Sequence, residues 1–232
     1  MKSDTPARDG RSARWDRHRA ERRLELVRAA RAAVHALGAH ASMDEIASHA
    51  GTSKTVFYRY FGDREGLRLA VAERVTAHME RRLLEAVDGP SSGADALHRM
   101  VEVYLTVAAT SPQVYAFAVA PAPAAPDAPA PAPVLGPFLE RVYGVLESGL
   151  VRDLAARGRT PDPGDPLALW PRAAVGLVRA AAETWLRTEP PERIEAATMA
   201  RAIAGWLLTG VASGVPDSPD PARSHPKTGA SS

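Results

Sequence analysis

Within twelve residues, Ala50 to Phe61 (AGTSKTVFYRYF), the chain gathers three aliphatic hydroxyls, two cations and four aromatic rings. Aromatic residues make up only 6% of the whole sequence, so the concentration belongs to this segment. Thr52, Ser53 and Thr55 can each donate and accept, and Lys54 and Arg59 are cationic donors at neutral pH. A core segment does not set Lys and Arg between its rings. The chemistry on offer is hydrogen bonding to a polar, anionic surface. Catalytic or metal chemistry has no comparable signal. The seven His form no His-Glu-x-x-His or other close ligand spacing. There is no Gly-x-Ser-x-Gly elbow, phosphate loop or Gly-x-Gly-x-x-Gly. The sequence has no cysteine, which excludes disulfides and thiolate metal sites. No enzyme activity, cofactor or metal is expected.

Helices must position these groups. Leu24, Val27, Ala30, Ala33, Val34 and Leu37 recur at three and four, predicting an amphipathic helix from about Arg19 to Leu37 that Gly38 stops. Ser42-Met43-Asp44-Glu45 is a Ser-x-x-Glu capping box that opens a helix over about 43–50. Gly51 supplies the positive φ of a tight turn, and a third helix follows over about 53–60. The two short helices and their turn form a helix-turn-helix. Phe57 and Phe61, four apart, share a face and pack inward opposite Ile46. Tyr58 and Tyr60 lie off that face. A long fourth helix opens at Gly62-Asp63-Arg64-Glu65, with Leu67, Val71, Val75, Met79 and Leu83 on its apolar side.

Helical pattern then runs over about 94–109, 112–119, 135–157, 166–187 and 191–215. Residues 120–133 are so rich in Pro that neither helix interior nor sheet fits, which predicts an extended loop. It is equally a cover over a pocket entrance or a passive insertion. Residues 1–14 and 216–232 read as disordered tails. The fold class is all-α, with a three-helix head over 15–62 and a larger helical body over 63–215.

Charge is unevenly placed. Residues 1–82 carry 17 Lys and Arg against 11 Asp and Glu, and residues 83–232 carry 12 against 16. The N-terminal third favours a polyanion and the remainder does not. With no signal-like start and no apolar run long enough to span a bilayer, a cytoplasmic protein is expected and no membrane partner.

SMDEIASHAGTSKTVFYRYFGDREGL resembles the DNA-binding head of the TetR family of bacterial transcriptional regulators. The likeness runs over about Leu24 to Val75 and includes the signature Tyr58-Arg59-Tyr60-Phe61, followed by a charged, Leu-containing helix start. The wording SKTVFYRYFGDREGL, with Trp in the last helices, is most similar to actinobacterial members that sense fatty acyl compounds. The resemblance implies a dimer on double-stranded operator DNA, most often a repressor, whose body binds a small effector.

A recognition helix puts its N-terminal residues against base edges in the major groove. Thr52, Ser53, Lys54 and Thr55 occupy that position. Lys54 can donate to guanine, and the Thr methyls can touch thymine. Tyr58, Arg59 and Tyr60 suit phosphates, which set register without reading sequence. Half-buried packing is the plainer role for the two tyrosines. Ser42, with the free amides of its helix start, can hold a further phosphate. So can Arg64, where the family more often has Lys. The run Arg14, Arg17, Arg19, Arg22 and Arg23 reads as backbone or minor-groove contacts, or as a solvated face.

In the body, few charged residues face the apolar stripes, so an apolar effector fits better than a charged one. Tyr104, Tyr115, Phe117, Tyr143 and Trp185 are the candidates for its pocket wall. The last two long helices are the expected dimer interface, with Trp170, Leu177, Ala181, Trp206 and Leu207 on their apolar faces. Two other readings stand beside this one. One is a DNA-binding or scaffolding dimer that senses nothing; the other is an enzyme without a recognisable motif.

Overall fold

The computed structural model describes residues 7–88, 92–120, 135–156, 158–160 and 164–210. Among these the secondary structure is helical: α1 (Ala7–Leu37), α2 (Met43–His49), α3 (Lys54–Phe61), α4 (Arg64–Val87), α5 (Gly93–Thr110), α6 (Pro112–Val119), α7 (Leu135–Ala156), α8 (Trp170–Leu186) and α9 (Ala196–Thr209). A 3-10 turn, Pro166–Leu169, leads into α8.

The predicted capping box forms. The Ser42 hydroxyl accepts from the Glu45 amide while the Glu45 carboxylate takes the Ser42 amide at 2.8 Å. Ser53 caps α3, and Asp63 caps α4 through the Gly66 amide at 2.7 Å. Two glycines are dictated by geometry. Gly51 sits at φ +63° in the helix-turn-helix turn, a conformation that disfavours a side chain. A Cβ on Gly66 would land on the Phe61 carbonyl, so glycine lets α4 start tight against the end of α3.

Two cores result. The head core joins Val27, Ala30 and Val34 of α1 to Ile46, Phe57 and Phe61, and to Leu67 and Val71 of α4. The body core takes Met79 and Leu83 from the far half of α4, with Leu97, Met100 and Leu105 of α5, Phe138, Trp185 and Ile203. α4 thus runs through both. Within the body, α5 packs chiefly against α4 and α9.

Several boundaries differ from expectation. α1 begins at Ala7, so residues 7–14 are helical where a disordered tail was expected. Between 7 and 37 the chain has no Pro and is rich in Ala and Arg. Once the packed part is helical, each added residue gains a hydrogen bond without a new nucleus. The buried stripe of α1 uses Leu26, while Leu24 and Leu37 are exposed. α9 starts at Ala196 rather than 191. Pro190 and Pro191 hold that stretch in turns, and the Trp185 indole donates to the Ile194 carbonyl at 2.8 Å. The Pro-rich segment expected as a loop over 120–133 lies, apart from Ala120, outside the described residues, as does the tail 216–232. No described helix is long and apolar enough to cross a membrane.

Candidate nucleic-acid interface and ligand cavity

The helix-turn-helix presents a polar edge. Ser53, Lys54, Thr55, Tyr58 and Arg59 are exposed, while Phe57 and Phe61 beneath them are buried. Thr52 is half-buried at the turn. Tyr60 is half-buried and packs on the head core, with the Arg59 guanidinium 5.5 Å above its ring. The two tyrosines therefore divide, with Tyr58 facing outward and Tyr60 partly a packing residue. Lys54 Nζ rests 2.6 Å from Asp44 and 5.6 Å from the Tyr58 ring centre. The hydrogen bond to Asp44 raises its pKa, so Lys54 is a cation throughout the physiological range. Both partners are more than half exposed, and such pairs are held weakly. Lys54 can exchange Asp44 for a base edge at little cost.

Two expected phosphate ligands are already engaged. The Ser42 amide and then its hydroxyl, which donates at 2.7 Å, hold the Glu45 carboxyl below the usual range. Ser42 is first a helix cap. Arg64 does not reach outward. Its guanidinium turns back to donate to the Ala39 and Ala41 carbonyls at 2.8 and 3.1 Å, in the turn between α1 and α2. It also lies 5.0 Å over the Phe117 ring. It is a half-buried brace, and its expected DNA contact is corrected accordingly. The sequence could not show this, because the carbonyls that satisfy Arg64 lie more than twenty residues upstream.

α6 joins the head to the body. Its Phe117, 1% exposed, and Val114 belong to the head core. The Gln113 side chain accepts from the Ala39 amide at 3.1 Å, and Ser111 and His35 meet at 2.8 Å. Arg68, 2% exposed, donates to both oxygens of Glu65 at 2.7 and 2.5 Å and to the Ala118 carbonyl at 2.9 Å. Neither Arg68 nor Gln113 stood out in the sequence, since their roles depend on where α6 docks.

The other side of α6 faces a cavity of about 100 Å³ lined by α4 to α8, with Leu207 of α9. Met79, Leu97, Met100, Phe138, Val142 and Val178 are typical of its nearly all-apolar lining. Tyr104 and Tyr115 also line it, their hydroxyls 2.5 Å apart and their rings edge to face. Burial pushes both phenols upward, so they stay neutral. Arg179 reaches the same wall and pairs with Glu183 at 3.7 Å.

The other three expected wall residues stand elsewhere. Phe117 follows Tyr115 by two positions, and two residues turn a helix through more than half a circle, so it faces the head. Tyr143 is half-buried beneath the Arg172 guanidinium at 4.8 Å. Trp185 is buried in the body core beneath Arg193 at 5.2 Å. Of the expected interface residues, Trp170, Leu177, Ala181 and Trp206 are half-buried against the body core, and Leu207 turns into the cavity. Among the described residues no group of three or more His, Asp or Glu is arranged to hold a metal.

Comparison with known proteins matches both parts of this architecture. The N-terminal model of the tetR family of bacterial regulatory proteins covers residues 26–71. The tetracycline repressor-like C-terminal domain model covers residues 82–223, more than half of the chain. The chain belongs to the TetR family. This TetR-family protein is 39% identical over 110 residues to an uncharacterised HTH-type transcriptional regulator of Mycobacterium tuberculosis, found in strains CDC 1551 and H37Rv. The match covers 47% of each chain, so the chain spans about half the length of the curated relatives it matches.

Solved structures extend the likeness to the whole fold. FadR of Bacillus subtilis, in complex with stearoyl-CoA, aligns with a TM-score of 0.62 at 15% identity over 81% of this chain and 98% of its own. LfrR of Mycobacterium smegmatis, in complex with proflavine, aligns with a TM-score of 0.54 at 22% identity over 84% and 97%. At those identities the likeness shows the fold alone.

Proposed function

We propose that this TetR-family protein is a ligand-responsive transcriptional repressor, which binds a pseudo-palindromic operator as a homodimer and releases it on binding a small apolar effector. One observation carries the sensing half. α6 places Tyr115 in the cavity wall and Phe117 in the head core, only two residues apart. A ligand that displaces Tyr115 moves the helix on which the head is built. A ligand that prefers the displaced arrangement must weaken DNA binding by the same coupling free energy. The complexes of FadR with stearoyl-CoA and of LfrR with proflavine support a ligand-binding role for this fold.

The DNA half rests on the exposed edge of α3. Lys54, with Thr52, Ser53 and Thr55, reads bases, while Tyr58 and Arg59 hold phosphates. α1 adds to this. Its C-terminal end meets the start of α6 through His35 and Ser111, and its N-terminal half carries the basic run. Residues 12–22 are exposed and include Arg14, Arg17, Arg19 and Arg22. This basic arm extends backbone contact beyond the α3 footprint. For the dimer, the half-buried Trp170, Leu177, Ala181 and Trp206 pair with a second copy, beside the more exposed Ile194 and Leu208.

Two substitutions separate reading from holding. Lys54→Ala should cut the preference for the best operator over a base-substituted one by about tenfold. Tyr58→Phe should weaken binding to both alike. The check is fluorescence anisotropy on a panel of single-substituted duplexes. If both variants bind the panel like the parent protein, α3 is not the reading element. Replacing Arg14, Arg17 and Arg19 with Gln should lower the slope of log affinity against log salt by about 2 to 3, leaving base preference intact. An unchanged slope would place the arm off the DNA.

A further inference from the structure

The hydroxyl pair in the cavity has one proton too many. In a bond between two phenols, one O–H donates and the other oxygen accepts. The second O–H then needs an acceptor of its own. Tyr115 is 6% exposed and Tyr104 is half-buried, so bulk water satisfies that proton poorly. Among the described residues, the other polar side chains on the cavity wall are Thr76 and Arg179. Thr76 donates to the Ala72 carbonyl of its own helix at 2.8 Å. Arg179 carries donors only and approaches the same Tyr115 hydroxyl. The polar corner therefore offers hydrogen-bond donors inside an apolar chamber.

Charge narrows the occupant further. Arg179 is paired with Glu183, whose negative charge is felt by both phenols. An incoming carboxylate must compete with Glu183 for Arg179 and lie beside that anion. A neutral acceptor meets neither difficulty. Size gives the last limit. About 100 Å³, beside roughly 150 Å³ for a cavity that takes benzene, holds on the order of four to six non-hydrogen atoms.

We propose that the effector site takes a neutral, apolar molecule whose single carbonyl accepts the free hydroxyl proton of the Tyr104–Tyr115 pair, with about five non-hydrogen atoms of its carbonyl end inside the cavity. This rests on the sensing reading above and gives that reading its ligand class.

The test is equilibrium binding to the full chain by ligand-detected NMR, with 2-octanone, octanoate and 1-octyne as probes. The octyne has the same chain length and no oxygen. 2-Octanone should bind roughly three- to tenfold more tightly than 1-octyne, the worth of one net hydrogen bond. Octanoate should bind more weakly than the ketone. The double variant Tyr104→Phe with Tyr115→Phe should bind ketone and octyne equally. Tyr104→Phe alone keeps the Tyr115 donor and should keep the preference. Equal binding of ketone and octyne to the parent chain overturns the carbonyl assignment while leaving a ligand-binding body. Preference for octanoate, or a ketone preference that survives the double variant, overturns it equally. Binding of none of the three overturns the assignment and counts against the sensing reading as well.

Discussion

Phe117→Ala is expected to destabilise the protein by roughly 3–5 kcal/mol, the usual loss for a buried Phe. Phe117 is 1% exposed, and its ring fills the head core from a helix that belongs to the body. Truncation removes the apolar contact and leaves a hole that Phe57, Phe61 and Leu67 cannot close without shifting the helix-turn-helix. It also removes the ring on which Arg64 rests at 5.0 Å. Urea denaturation should show a lower midpoint. A second readout separates coupling from stability. At temperatures where the variant is still folded, an effector should bind it yet release less DNA than from the parent protein. A variant as stable and as responsive as the parent would remove α6 from the coupling.

Glu65→Gln is the second large effect. Arg68 is 2% exposed and its guanidinium is matched by one carboxylate and one carbonyl. Removing one partner of a buried pair leaves a charge that water cannot reach, with losses of roughly 3–5 kcal/mol. Glu65 is 35% exposed on its side chain, so the loss should fall at the low end of that range. The same pair predicts an acid limb. The hydrogen bonds from Arg68 hold the Glu65 carboxyl below its ordinary value of 4.5. A carboxyl whose folded value is depressed contributes fully above its unfolded value, and the contribution is lost as pH falls through the folded one. Stability of the parent chain should therefore fall below about pH 4.5, and Glu65→Gln should flatten that part of the fall. Denaturation midpoints measured from pH 3 to 7 check both. A variant with an unchanged midpoint and acid limb would show that Arg68 finds another partner.

The head was legible because its signals are local. Ser42 and Glu45 cap across three residues, Gly51 marks its own turn, and Phe57 and Phe61 share a face through a single helical turn. The outward direction of Lys54, Thr55 and Tyr58 follows from the same short geometry. What sequence missed depends on distance. Arg64 read as a free cation because its acceptors, Ala39 and Ala41, lie outside its own helix. Phe117 read as a pocket residue because nothing local says which side of α6 meets the head. Tyr104 and Tyr115 were named as wall residues, but the contact between their hydroxyls joins two helices and has no sequence signature. Residues 7–14 differ from expectation for the opposite reason. Their polar composition reads as disorder, yet the helix extends from a packed segment and needs no core of its own.

The most direct measurement is selection of bound duplexes by the full chain from a randomised DNA pool. A TetR-family regulator that reads bases through α3 and acts as a symmetric dimer should enrich one sequence with two-fold symmetry. Lys54→Ala should blur the same position in each half-site. Enrichment of nothing beyond the starting pool, at salt low enough for backbone binding, would contradict the account.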